Sequence, residues 1–114
     1  MLIETEVLED GLLKVGLRGR MDIAGVEAAA LEFTSLTAVE ARRVILDLSG
    51  VDFLASIGVR AILQNARALK LRGGAMALCG APPLVAQVLE SAGVGNVITV
   101  SPDLASARAA LAAA

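Results

Sequence analysis

Ile3, Thr5 and Val7 alternate with Glu4 and Glu6; after a turn, Leu13, Val15 and Leu17 alternate with Lys14 and Arg18. A period of two marks two half-exposed strands. A two-residue Asp10-Gly11 loop would pair Val7 with Lys14 and set apolar against charged on one face. A three-residue loop, Glu9 to Gly11, pairs Val7 with Leu13, Thr5 with Val15 and Ile3 with Leu17. Alternation specifies register, so the longer loop is expected, with Gly11 left-handed. Gly19-Arg20-Met21-Asp22 closes the second strand.

The period then changes. Val26, Ala30, Phe33 and Thr37 recur at helical spacing, with Glu27, Glu32 and Glu40 off the stripe, which predicts a helix from about Ala24 to Glu40. Val44 to Leu48 is an unbroken apolar run of strand length, buried on both faces. Ser49-Gly50 and Asp52 read as a turn. Ser56 precedes a helical pattern from Ile57 to about Leu71, with Val59, Ile62, Leu63, Ala66 and Leu69 inward and Arg60, Gln64 and Arg67 on a polar face. Lys70 and Arg72 suit its negative end, and Gly73-Gly74 stops it. Ala75 to Cys79 is another apolar strand. Pro82 or Pro83 opens a third helix, Leu84 to Glu90, closed by Gly93. Asn96 to Val100 reads as a last strand. Ser101-Pro102-Asp103 reads as an N-cap, a first-turn proline and an acid starting a final alanine-rich helix. The predicted fold is α/β: one domain, an N-terminal hairpin and then alternating elements, in a mixed, mostly parallel sheet of about five strands with about four helices.

At 114 residues and 56% hydrophobic the chain is long enough for one core, and a net charge of -2 offers no polyanion footprint. With two Phe and no Tyr or Trp there is no stacking platform, so no direct nucleic-acid partner is expected. Every apolar run is broken before membrane-spanning length, and the N-terminus lacks the make-up of a signal peptide, so a cytoplasmic protein without membrane insertion is expected. A single Cys79 fits a reducing compartment and reads as a buried strand residue. The absence of histidine removes Ser-His-Asp and Cys-His arrangements and the usual transition-metal sites. No Gly-rich phosphate loop follows a strand, and Ala-Ser-Ile-Gly is not a nucleophile elbow. The expectation is a protein that is not an enzyme and has no cofactor and no metal.

The hairpin ending in Gly19-Arg20-Met21-Asp22, the stretch Val44-Ile45-Leu46-Asp47-Leu48-Ser49-Gly50-Val51-Asp52-Phe53-Leu54-Ala55-Ser56-Ile57-Gly58-Val59-Arg60 and the order of elements together resemble the STAS domain of bacterial anti-sigma factor antagonists. The resemblance implies that Ser56 is a phosphorylation site, modified by an anti-sigma factor that is also a serine kinase. The unmodified antagonist would bind that kinase, and a serine phosphatase would reset the cycle. Many members carry Asp just before this serine; here the residue is Ala55. A second role within the family needs no phosphate: a scaffold, as in stressosomes, or an accessory to a lipid-transport ATPase.

From the residues alone, Ser56 is also a fitting helix N-cap, and a cap and a modification site are compatible. Asp22 suits a cap or turn; the resemblance places it beside the serine, engaging the kinase or its nucleotide. Gly58 could be a tolerated helix glycine; the resemblance implies instead that it leaves room for a partner backbone. Leu54 and Ile57 flank the serine as apolar anchors if exposed, and Arg60, Gln64 and Arg67 form a stripe for an acidic partner. Asp47 is expected to satisfy loop amides, and Asp52 to serve the turn. A homodimer is left open.

Overall fold

The computed structural model describes residues 1–8, 11–37 and 42–112. The elements are β1 (Leu2–Val7), β2 (Leu13–Met21), α1 (Ile23–Thr37), β3 (Arg43–Leu54), α2 (Ser56–Leu71), β4 (Ala75–Cys79), α3 (Pro83–Ser91), a 3-10 turn (Val94–Asn96), β5 (Thr99–Ser101) and α4 (Leu104–Ala112). They form one five-stranded sheet in the order β1-β2-β3-β4-β5, with β1 antiparallel to β2 and the other pairs parallel.

The hairpin has the register that alternation demands: Ile3 faces Leu17, Thr5 faces Val15 and Val7 faces Leu13. The Leu8 N–H donates to the Leu12 carbonyl at 2.8 Å, and Gly11 has φ 76, the left-handed conformation that glycine adopts without strain. Glu9 and Asp10 lie outside the described residues.

Strand alternation divides the core in two. Val44, Leu46 and Leu48 of β3 and Met76 and Leu78 of β4 face the larger cluster, which receives Val26 and Phe33 of α1, Val59, Ile62 and Leu69 of α2, and Val85 and Leu89 of α3. Ile45, Ala77 and Cys79 face the other way, against Ala107 and Leu111 of α4. Cys79 is buried, and desolvation, with the Asp47 charge second, pushes its thiol up to about 11. It stays protonated and packs as a small hydrophobe.

α2 ends where Gly73-Gly74 predicts. The Gly74 N–H reaches back to the Leu69 carbonyl at 2.8 Å, the Gly73 N–H to Lys70 at 3.1 Å, and Gly73 has φ 88. This is a Schellman closure, with the left-handed residue just past the helix.

Several expectations are corrected. The stripe of α1 runs through Ala29, which is buried, and not Ala30, which is exposed; Glu40 lies outside the described residues. Ser49-Gly50 and Asp52 do not turn the chain. β3 runs on to Leu54, because two irregularities opposite Gly16/Arg18 and Gly19/Arg20 each take up an extra β3 residue. Asp52 is thus an exposed strand residue. Asn96 belongs to the 3-10 turn, leaving β5 with three residues. The cap of α4 is Asp103, whose Oδ1 accepts from the Ser106 N–H at 2.8 Å; Ser101 is the buried last residue of β5.

Candidate functional site

The four described helices all begin at the carboxyl edge of the parallel strands: α1 after β2, α2 after β3, α3 after β4 and α4 after β5. Met21 pairs with Leu54, and the Ala55 N–H donates to the Met21 carbonyl at 3.0 Å. Those contacts bring Asp22 and Ser56 to the same end of the sheet.

Ser56 is exposed and is the first residue of α2. It is not the cap. Ala55 holds that position in extended conformation, its carbonyl accepting from the Gly58 and Val59 N–H groups at 2.9 and 3.1 Å, and no side chain caps the helix. The Ser56 hydroxyl is therefore uncommitted and presented to solvent, beside the Ser56 and Ile57 amides, which have no intrahelical acceptor.

Asp22 does cap its helix. Its Oδ1 accepts from the Gly25 N–H at 2.8 Å and its Oδ2 from Arg20 Nε at 3.2 Å. The Gly25 bond first, and Arg20 second, hold its carboxyl below its ordinary 3.8. The Arg20 guanidinium also lies 4.4 Å from the centroid of the Phe53 ring.

Gly58 is buried. An added Cβ would stand 2.7 Å from Leu54 Cδ1, 2.9 Å from Met21 Cβ and 3.0 Å from the Met21 carbonyl oxygen. The close approach it permits is therefore between α2 and the ends of β2 and β3 of the same chain. Leu54 is core at 5% exposure, and Ile57 is half-buried. Arg60, Gln64 and Arg67 are exposed along α2. Neither arginine has an ion-pair partner among the described residues. Asp47 accepts from the Ser49 N–H at 3.0 Å and lies 3.7 Å from Lys14 Nζ, the amide-satisfying role expected of it.

Two apolar residues of this edge escape the sequence pattern. Phe53 is 41% exposed and Leu84 73% exposed. With Ser56 they border a groove of about 680 Å³ between the start of α2 and α3. Phe53 was hidden by the apparent turn, which broke the strand before it. The signal for Leu84 was Pro82-Pro83, which starts α3 one residue earlier than expected and leaves Leu84 in its open first turn. Among the described residues no cluster of three His, Cys, Asp or Glu could hold a metal ion. No helix among them is long and apolar enough to cross a membrane.

Residues 3–107 match the family described as the STAS domain. The chain belongs to the STAS domain family. A Bordetella bronchiseptica protein named as an anti-sigma factor antagonist, BtrV, is 33% identical over 101 residues, which cover 89% of this chain and 87% of that protein. This STAS domain also superposes on the crystal structure of an anti-sigma factor antagonist from Mycobacterium paratuberculosis, with a TM-score of 0.83, 23% identity and coverage of 97% and 95% of the two chains. The Bacillus cell-fate determinant SpoIIAA in its phosphorylated form gives a TM-score of 0.64 at 21% identity, covering 90% of this chain and 93% of that one. At such identities the two structures speak for the fold.

Proposed function

We propose that this STAS domain is an anti-sigma factor antagonist that binds an anti-sigma serine kinase in its unmodified form and is released by phosphorylation at Ser56, regulating transcription indirectly. The observation that carries the reading is the uncommitted, exposed Ser56 hydroxyl at the uncapped start of α2. Kinship with BtrV and structural likeness to SpoIIAA, a protein with a phosphorylated form, support it.

A phosphate at this position adds roughly -1.5 to -2 charges. The helix start tolerates them, because its free N–H groups and dipole favour an anion, so the domain stays folded. The change falls on the surface offered to the partner: a phosphate facing apolar area or a carboxylate breaks the contact. Asp22 acts in this scheme by holding the start of α1 in place beside Ser56, and Arg60, Gln64 and Arg67 extend the contact along α2. A phosphatase acting on the phosphorylated form returns the antagonist to its binding state. The chain works by association, not catalysis.

The test is intact mass spectrometry after incubation with ATP and each candidate serine kinase of the same genome, repeated with Ser56→Ala. One added phosphate that disappears in the alanine variant is the expected result. No phosphate from any kinase, with partner binding intact, would move the domain to a constitutive scaffold role. Ala55, at the position where many family members carry Asp, is the residue that favours that second reading.

A further inference from the structure

Ser56 and Arg60 stand four residues apart on α2, and both are exposed. On an α-helix that spacing puts two side chains on one face, with about 5–6 Å between their Cβ atoms. An acid that precedes its base by four residues is the favoured order. An unmodified serine offers Arg60 no charge, and Arg60 has no ion-pair partner among the described residues. Arg20, a second cation at this end of the sheet, is committed: its Nε donates to Asp22 at 3.2 Å, and its guanidinium lies 4.4 Å from the Phe53 ring centroid. Three acids belong to the surroundings. Asp22 opens α1, Asp52 lines a groove with Ser56, and Glu27 lines the groove between α1 and α2 with Arg60. None of the three forms an ion pair with Arg60.

We propose that Arg60 is the intrachain partner of a phosphate on Ser56: the phosphate oxygens and the guanidinium meet across one turn of α2, in an ion pair that the unmodified chain lacks. The assignment rests on the proposed phosphorylation of Ser56 and names what the phosphate does once it is there. A guanidinium suits the task, because two of its N–H donors can face two phosphate oxygens. Phosphorylation then changes the surface twice. It adds roughly -1.5 to -2 charges, and it takes Arg60 out of the stripe that Gln64 and Arg67 continue.

The experiment uses the full chain with phosphoserine built in at position 56 during synthesis, so that it depends on no kinase. The phosphate is titrated by phosphorus NMR. Its second ionisation lies at about pH 6 in an unperturbed phosphoserine, and a neighbouring cation favours the dianion and lowers that pKa. The expected result is that Arg60→Gln raises the pKa by about half a pH unit over the parent. Arg60→Lys, which keeps a charge but not the fork, should raise it by less. Arg67→Gln removes the same charge from the same helix, roughly 16 Å along the axis from Ser56, and should leave it unchanged. Equal titrations of the parent and Arg60→Gln would overturn the proposal. So would a rise with Arg20→Gln in place of Arg60→Gln, or an equal rise with Arg67→Gln, which reports net charge alone. Phosphorylation by a kinase is read separately, by mass, on the chain with serine. A kinase that modifies Ser56 in a protein whose phosphate ignores Arg60 removes the pair and leaves the switch. A phosphate that pairs with Arg60 in a chain no kinase modifies supports the pair and removes the switch.

Discussion

Gly58 illustrates how a residue that looks permissive in sequence is required by contact. Helix propensity alone says that alanine should be better by up to about 1 kcal/mol. The geometry says otherwise, since the new methyl would meet the Met21 carbonyl oxygen at 3.0 Å and Met21 Cβ at 2.9 Å, neither of which can rotate away. Overpacking costs about 1–3 kcal/mol. Gly58→Ala should therefore cost about 1 kcal/mol net of stability and lower the urea midpoint; a midpoint at or above the parent's would show that the ends of β2 and β3 yield. The two capping acids make a second residue-scale prediction. Asp22 accepts from the Gly25 N–H and Asp103 from the Ser106 N–H, and these bonds lower both carboxyl pKa values below 3.8 in the folded state. A group whose folded pKa is depressed adds stability above its unfolded pKa, and that share is lost as pH falls through the folded value. The melting temperature should then drop as pH falls below about 4, and an Asp22→Asn, Asp103→Asn double variant should show a shallower drop than the parent over the same range.

At the level of elements, what the sequence made legible was what local chemistry alone decides. The hairpin register followed from alternation, because a slip of one residue would turn Val15 and Leu17 outward. The end of α2 followed from Gly73-Gly74, since few residues other than glycine take φ 88 cheaply. Gly73→Ala should cost about 1–2 kcal/mol in denaturant unfolding with no change in partner binding. That position has nothing within 4 Å of an added Cβ, so backbone strain is the whole effect. What stayed illegible depended on neighbours. Ser49-Gly50 has turn chemistry, yet pairing with β2 carries β3 through it by way of bulges, and Gly50 lies so close to Leu17 and Arg18 that a Cβ there would stand 2.6 Å from Arg18 Cγ. The serine at the start of α2 was legible as a site but not as a geometry: pattern suggested a capping hydroxyl, whereas the Met21 carbonyl draws in the Ala55 N–H and leaves Ser56 one position inside the helix, uncommitted. Leu54 would serve as an anchor only if exposed, and neighbours decide that too. The extended β3 brings it opposite Met21, where it is core, and the exposure passes to Phe53.

For the molecule as a whole, a net charge of -2 supplies little long-range attraction for any partner, so steering depends on where the charges sit. Glu4, paired with Arg18 at 2.8 Å, and Glu6 lie exposed on β1, one edge of the sheet, where charged side chains discourage pairing with another edge. Arg60 and Arg67 lie exposed on α2, without ion-pair partners among the described residues, on the helix that Ser56 begins. An acidic partner surface would thus be drawn to the α2 side and away from the β1 edge. Reversing both charges, Arg60→Glu with Arg67→Glu, should lower the association rate with the proposed anti-sigma kinase partner about tenfold at low salt and flatten its salt dependence. The dissociation rate should change little, because exposed charges act mainly on encounter. Stopped-flow association at several ionic strengths separates the two. An unchanged on-rate in the double reversal would make Arg60 and Arg67 a solvated face with no part in recognition, and would leave the edge around Ser56 to carry the contact alone.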